Sequence, residues 1–307
     1  MLRSQLVLVT TILALATACS EPSPPAVEES PEPVLIQTSV SENGTVEAPD
    51  GLPIVYSTRG SGSPALVFLH CWGCDRSFWR NEVGPLSADH RVVTLDLGGH
   101  GESGKEREHW TLEGLAQDAV TVIKALGLDD VIVVGHSMGA PVAIFTAEQL
   151  PDVVHGVILV DSLHDVEQRI DPAVWTKLMT AYRSDYAGTC HQMVVALFPK
   201  DADPSLMQQV ETDMCAGPQE VGLALLDAFP GFDAARELEK LKVPVRAINA
   251  GDRPTSLEKN RQHAADYDAV IMEGVGHFPM LEKPDEFNRL LRQAVESIES
   301  APAPTGP

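Results

Sequence analysis

Short apolar runs alternate with longer amphipathic stretches along most of the chain. Eight of the runs predict strands, at residues 45–48, 53–58, 65–70, 91–96, 131–135, 156–161, 244–249 and 269–273. The middle runs are apolar throughout, which is typical of strands covered on both faces. Helical spacing is clearest at 111–127, 138–150 and 284–299. This alternation predicts an α/β fold with a mostly parallel, eight-stranded, doubly wound sheet.

One region lacks the strand pattern. Residues 164–241 show apolar positions at helical spacing only, and they are too many for a plain loop. We therefore expect a helical cap at 164–241, inserted into a core made of 44–163 and 242–299.

The first residues have the features of an export signal. Arg3 precedes an apolar run of 13 residues, 6–18, which is shorter than the roughly 20 residues that span a bilayer and fits a signal peptide over 1–18. The small residues before Cys19 resemble the lipobox of bacterial lipoproteins, which implies lipidation of Cys19. Residues 19–43 are predicted to be a Pro/Glu-rich tether and 300–307 a disordered tail.

These features predict an exported protein that is lipid-anchored to the bacterial envelope. Ser20 after the cysteine is, by the same resemblance, the signal for the outer membrane. An ordinary signal peptide with an incidental Cys19 remains the alternative.

The net charge limits which partners the protein can bind, and the cysteines indicate a disulfide. The chain has 44 acidic and 22 basic residues, a net charge of −22, so nucleic acid is excluded as a partner and anionic substrates are disfavoured. Disulfides persist in an exported protein. Of the four remaining cysteines, Cys190 and Cys215 form the favoured pair because both lie in the expected cap, which leaves Cys71 and Cys74.

The strongest chemical motif is Gly135-His136-Ser137-Met138-Gly139. It follows an apolar strand and precedes a helix, the setting in which a G-x-S-x-G turn exposes a nucleophilic serine. Gly135 and Gly139 leave room for the tight turn, and the helix directs N–H groups towards developing negative charge.

With this motif the chain resembles the α/β-hydrolase superfamily over 44–299. The stretch 70–73 (HCWG) is similar to the oxyanion loop of that family, and 96–103 (DLGGHGES) to its D-x-x-G-x-G-x-S turn. His277, within 276–280 (GHFPM), precedes a C-terminal helix as the catalytic histidine does.

The resemblance implies a role for each residue. Ser137 would be the nucleophile and His277 the general base. For the acid we prefer Asp252, in the turn after the 244–249 strand. Asp161, at the end of the 156–161 strand, is the alternative that some family members use.

The oxyanion hole would consist of the backbone N–H groups of Trp72 and Met138. His70 and His136 are expected to support the site rather than to act as bases. Cys71 stands where the family usually has glycine.

These residues predict a serine hydrolase that cleaves a carboxylic ester or related acyl bond, on a small to medium apolar substrate, through an acyl-enzyme. A carbon–carbon bond hydrolase, an acyltransferase, a cofactor-free perhydrolase and a non-catalytic envelope-binding lipoprotein remain alternatives. The sequence has no H-E-x-x-H, no paired CxxC motifs and no G-x-G-x-x-G after the first strand, so we expect no metal and no cofactor. The oligomeric state stays open.

Overall fold

The computed structural model describes residues 41–264 and 266–301. The predicted signal peptide, Cys19, most of the tether and the last six residues of the tail lie outside these residues. Among the helices of the described ranges, none combines the length and the apolar content needed to cross a membrane.

The core is one eight-stranded sheet, as predicted. Its strands are β1 (Glu42–Glu47), β2 (Pro53–Arg59), β3 (Ala65–Leu69), β4 (Val92–Leu95), β5 (Val131–His136), β6 (Val154–Val160), β7 (Val245–Ala250) and β8 (Tyr267–Met272), in the order β1-β2-β4-β3-β5-β6-β7-β8. Only the β1–β2 and β2–β4 pairs are antiparallel. Every residue of β3, β4 and β5 is buried, which explains why these strands are apolar at most positions.

Helices flank this sheet. Outside the insertion they are α1 (Arg80–Leu86), α2 (Leu112–Ala125), α3 (Gly139–Gln149), α9 (Leu257–His263), α10 (Pro279–Glu282) and α11 (Pro284–Glu299), with a 3₁₀ turn at Arg76–Trp79. α2, α3 and α11 match the predicted helices within two residues, whereas α1, α9 and α10 are too short for a clear periodicity.

Between β6 and β7 the chain is helical. The helices are α4 (Pro172–Ser184), α5 (Tyr186–Ala196), α6 (Pro204–Cys215), α7 (Gln219–Ala228) and α8 (Ala234–Lys240), with a 3₁₀ turn at Phe229–Gly231. Four of them begin after an aspartate whose side chain accepts an N-terminal N–H, at Asp171, Asp185, Asp203 and Asp233, which is a strong start signal. A disulfide joins Cys190 of α5 to Cys215, the last residue of α6.

Two predicted boundaries are corrected. β1 begins at Glu42, inside the predicted tether, because the backbone there pairs with β2 and the Asn43 amide oxygen accepts a 2.7 Å hydrogen bond from the Ser57 hydroxyl. Ser300, assigned to the tail, caps α11 by donating its N–H to the Glu296 carbonyl at 3.0 Å.

Candidate active site

Ser137 lies at a tight turn between β5 and α3. Its φ of 52° is in the left-handed region, which a residue other than glycine occupies at a cost of about 1–3 kcal/mol. A Cβ at Gly135 would lie 2.1 Å from the Gly139 carbonyl oxygen, and one at Gly139 would lie 2.3 Å from the Leu69 carbonyl oxygen. Both glycines are therefore required by close backbone contacts, and the turn leaves Ser137 facing a cleft.

His277 faces the same cleft from the segment between β8 and α10. Its Nδ1 lies 2.5 Å from Asp161 Oδ2, and its backbone N–H donates to the Leu197 carbonyl at 2.9 Å. A contact from Nδ1 to a carboxylate orients the ring and leaves Nε2 available as a base.

Asp161 follows β6 directly, and its carboxylate is fully buried. Oδ1 accepts the Ala250 N–H at 2.8 Å and lies 3.3 Å from His164 Nε2, while Arg253 Nη2 lies 3.2 Å from Oδ2. Burial raises the pKa of Asp161, but the contacts from His164 and His277 and the Ala250 N–H outweigh it and hold the pKa well below its ordinary value. The carboxylate is therefore an anion at neutral pH.

The preference for Asp252 as the partner of His277 is corrected by this geometry. β7 ends at Ala250, and Asp252 lies in the following turn with half of its side chain exposed, 3.8 Å from Arg253 Nε. The contact with His277 Nδ1 is made by Asp161, the alternative acid. Both aspartates follow neighbouring parallel strands, so they come close together at the same sheet edge.

Two asparagines that the sequence analysis did not single out hold the loop after Asp161. The Asn260 side chain is buried: its Oδ1 accepts the Val166 N–H at 3.0 Å, and its Nδ2 donates to the Leu163 and His164 carbonyls. Asn249 Oδ1 accepts the Ser162 N–H at 3.2 Å. Their role depends on contacts some 90 residues apart in the chain, so the sequence carries no local signal for it.

His70 links the predicted oxyanion loop to the end of β4. Its Nε2 accepts the Leu97 N–H at 3.0 Å, so Nδ1 carries the proton and donates to the Cys71 carbonyl at 2.8 Å. Burial lowers the pKa of His70 to about 4, which agrees with a neutral ring. A disulfide joins Cys71 to Cys74 across the same loop.

The two predicted oxyanion donors are Trp72 and Met138, and both residues are buried. Within residues 41–264 and 266–301, neither backbone N–H donates a hydrogen bond to another protein group. The Trp72 indole N–H donates to the Gly222 carbonyl of α7 at 2.9 Å, which fixes the loop against the helical insertion.

His136 supports the segment that carries His277. Burial lowers the pKa of His136 to about 3, so the ring is neutral, and its Nε2 lies 2.7 Å from the His277 carbonyl oxygen and donates to it. The two rings are in contact, with centroids 4.7 Å apart.

The cleft that contains Ser137 and His277 has a volume of about 1190 Å³. Its lining is mixed: Leu163, Ile170 and Pro254 are apolar. The polar lining beyond the groups described above includes Ser162, Gln168, Arg169, Thr255, Ser256 and Lys259.

A strand–serine–helix turn, a histidine after the last strand and a mostly parallel sheet define a class of hydrolytic enzymes. Residues 66–290 match the alpha/beta hydrolase family, and the chain belongs to it.

Two curated relatives match most of the chain. The chain is 36% identical over 257 residues, 80% of its length and 67% of the relative's, to the dihydrolipoyllysine-residue acetyltransferase component of the acetoin cleaving system of Cupriavidus necator. It is 29% identical over 247 residues, 76% of its length and 94% of the relative's, to the pimeloyl-[acyl-carrier protein] methyl ester esterase of Neisseria meningitidis.

Among solved structures, a putative aryl esterase from Burkholderia cenocepacia superposes with a TM-score of 0.73 at 22% identity, over 85% of this chain and all of that one. This likeness supports the fold. The family match and the esterase relative identify the chain as a hydrolase.

Proposed function

We propose that the protein is a serine esterase that cleaves a carboxylic ester through an acyl-enzyme on Ser137. The observation that carries the proposal is that Ser137, at its strained turn, shares a cleft with His277, whose Nδ1 is 2.5 Å from a buried carboxylate. Nucleophile, base and orienting acid are the three groups that acyl transfer through serine requires.

In the proposed reaction the Ser137 hydroxyl attacks the ester carbonyl while His277 Nε2 accepts its proton. Asp161 stabilises the imidazolium that forms. Collapse of the tetrahedral intermediate breaks the bond to the alkoxy group, which takes the proton from His277. Water then attacks the acyl-enzyme with His277 again as base, which releases the carboxylic acid and restores Ser137.

The oxyanion would be stabilised by the backbone N–H groups of Trp72 and Met138. Support comes from their lack of another acceptor within the described residues and from the hydrogen bonds of His70, which hold Cys71 beside Trp72. Removal of one donor from such a hole costs about 2.7–4 kcal/mol in the transition state.

The test is covalent labelling with a fluorophosphonate probe, together with turnover of p-nitrophenyl acetate. Ser137→Ala should abolish both. Ser184→Ala is the matched control, since Ser184 is exposed at the end of α4 and does not line the cleft. Equal labelling of the wild type and Ser137→Ala would refute the nucleophile.

We further propose that the esterase acts on substrates more polar than the small apolar esters that the sequence suggested. Gln168, Thr255 and Ser256 line the cleft that also contains His277, and such side chains can hydrogen-bond a substrate's hydroxyl or amide groups. A higher kcat/KM for a hydroxylated acyl chain than for its alkyl counterpart would support this. The reverse order would contradict it.

The proposal places the enzyme on the bacterial envelope, anchored through lipidated Cys19. It rests on the sequence alone, on the apolar run, the small residues before Cys19 and the Pro/Glu-rich segment after it. Radiolabelled palmitate should be incorporated into the wild type and not into Cys19→Ser. Incorporation into both would refute the anchor.

A further inference from the structure

We propose that Asp161, His164 and Asp252 form a binding site for a divalent transition metal such as Zn²⁺, and that occupancy of this site inhibits the enzyme. The three side chains each offer one ligand atom, and these atoms lie within 4.8 Å of one another. One imidazole nitrogen with two carboxylate oxygens is a common zinc donor set. The sequence gives no local motif for this site, because His164 and Asp252 lie in two loops 88 residues apart.

The state of the His164 side chain indicates that this site binds a ligand. This side chain is 9% exposed, and among the described residues Nε2 has no partner in good hydrogen-bond geometry. This nitrogen lies 3.3 Å from Asp161 Oδ1. Zinc bonds of about 2.0–2.2 Å at tetrahedral angles place two ligand atoms about 3.4 Å apart, so the pair already has the spacing of one edge of a zinc tetrahedron.

The other ligands can be supplied without moving the backbone. Asp161 Oδ1 accepts one N–H, from Ala250, and a carboxylate oxygen has a second lone pair for a metal. The Asp252 side chain is half exposed, so a change of rotamer can bring it to the ion. Asp161 and His164 line the open cleft, which gives access to the ion and to a water molecule as fourth ligand.

Arg253 is the competing cation. Its guanidinium lies 3.2 Å from Asp161 and 3.8 Å from Asp252, and about half of the side chain is exposed. A metal with a double positive charge must displace this guanidinium from both carboxylates. Arg253→Gln should therefore tighten metal binding, whereas loss of a ligand should weaken it.

The inhibitory effect rests on the proposed function. A metal on Asp161 Oδ1 withdraws negative charge from the carboxylate that faces His277, and the imidazolium formed during attack then loses part of its stabilisation. Since the ion need not touch Ser137, we expect a lower kcat with little change in KM.

The test titrates ZnCl₂ into the protein by isothermal calorimetry in a non-chelating buffer, with hydrolysis of p-nitrophenyl acetate measured in parallel. His164→Gln and Asp252→Asn should each weaken binding by at least about tenfold and make the activity insensitive to zinc. His191→Gln is the matched control, because His191 pairs with Glu211 away from the cleft; its zinc affinity should equal that of the wild type.

Calorimetry separates this proposal from the catalytic one, since binding can be measured in Ser137→Ala. Wild-type protein that binds no zinc, or His164→Gln that binds it as tightly as the wild type, would overturn the site. Zinc binding without loss of activity would overturn the inhibitory role.

Discussion

Replacement of Asp161 by asparagine tests the most consequential feature of the proposed site, the carboxylate that follows β6. The carboxylate accepts at both oxygens: Oδ1 takes the Ala250 N–H, and Oδ2 faces His277 Nδ1 and Arg253 Nη2. An asparagine keeps its oxygen on the Ala250 N–H, because its amide nitrogen cannot accept that bond. The amide NH₂ then faces His277 and donates to Nδ1.

This donation reverses the tautomer of His277. The proton moves to Nε2, the atom that must accept the Ser137 proton, and the negative charge that stabilises the imidazolium is also lost. The corresponding change in a serine protease lowers kcat about 10⁴-fold, or about 5.4 kcal/mol. We expect a loss of similar size in Asp161→Asn.

Asp252→Asn is the matched comparison. The side chain is half exposed and 3.8 Å from Arg253 Nε, and an exposed pair of this kind contributes about 0–1 kcal/mol. We expect kcat to change by less than about fivefold. The assay is kcat for p-nitrophenyl acetate, with the circular dichroism spectrum of each variant checked for folding. A loss of three orders of magnitude in Asp252→Asn, with Asp161→Asn nearly active, would refute the reasoning.

Three further predictions concern stability. Ser137→Gly should raise the free energy of unfolding by about 1 kcal/mol, because glycine adopts the φ of 52° without strain; an unchanged or lower value in urea denaturation would contradict it. Burial raises the pKa of Glu82 well above its ordinary value, so the folded state holds a proton that the unfolded state releases as pH rises above about 4.5. Glu82→Gln should therefore stabilise the protein more at pH 8 than at pH 5, and a gain that is equal at both pH values would count against this. Cys215→Ser removes the cross-link to Cys190, which closes a loop of 25 residues, and should cost about 3–4 kcal/mol on the loop-entropy scale. The loss is measured as a lower Tm under non-reducing conditions, and a reductant should no longer lower the Tm of the variant through this disulfide.

The fold could be predicted from sequence because burial and composition coincide in the central strands. β3, β4 and β5 are covered on both faces, so most of their positions are apolar and the runs are visible without homologues. The predicted ends of elements were wrong where the contacts that decide them come from residues far away in the sequence. Glu42 belongs to β1 because it pairs with Thr58, and its own polar neighbourhood gives no sign of this.

The acid could not be chosen from sequence for a related reason. Asp161 and Asp252 each follow a parallel strand, and β6 and β7 are neighbours in the sheet, so both carboxylates reach the same edge. The choice between them depends on which backbone N–H groups and side chains each meets. The Ala250 N–H and His277 meet Asp161, whereas Asp252 lies one turn further out beside Arg253.

The loop from Asp161 to Val166 connects the proposed site to the helical insertion, and one buried side chain holds it in place. This loop connects β6 to the helices of the insertion. Asn260 of α9 binds the backbone of Leu163, His164 and Val166 from the core side. Its amide is buried, so each lost hydrogen bond would leave an unpaired backbone group at about 1–3 kcal/mol. The orientation of Asp161 and the position of the loop that leads into the insertion therefore depend on the same buried asparagine.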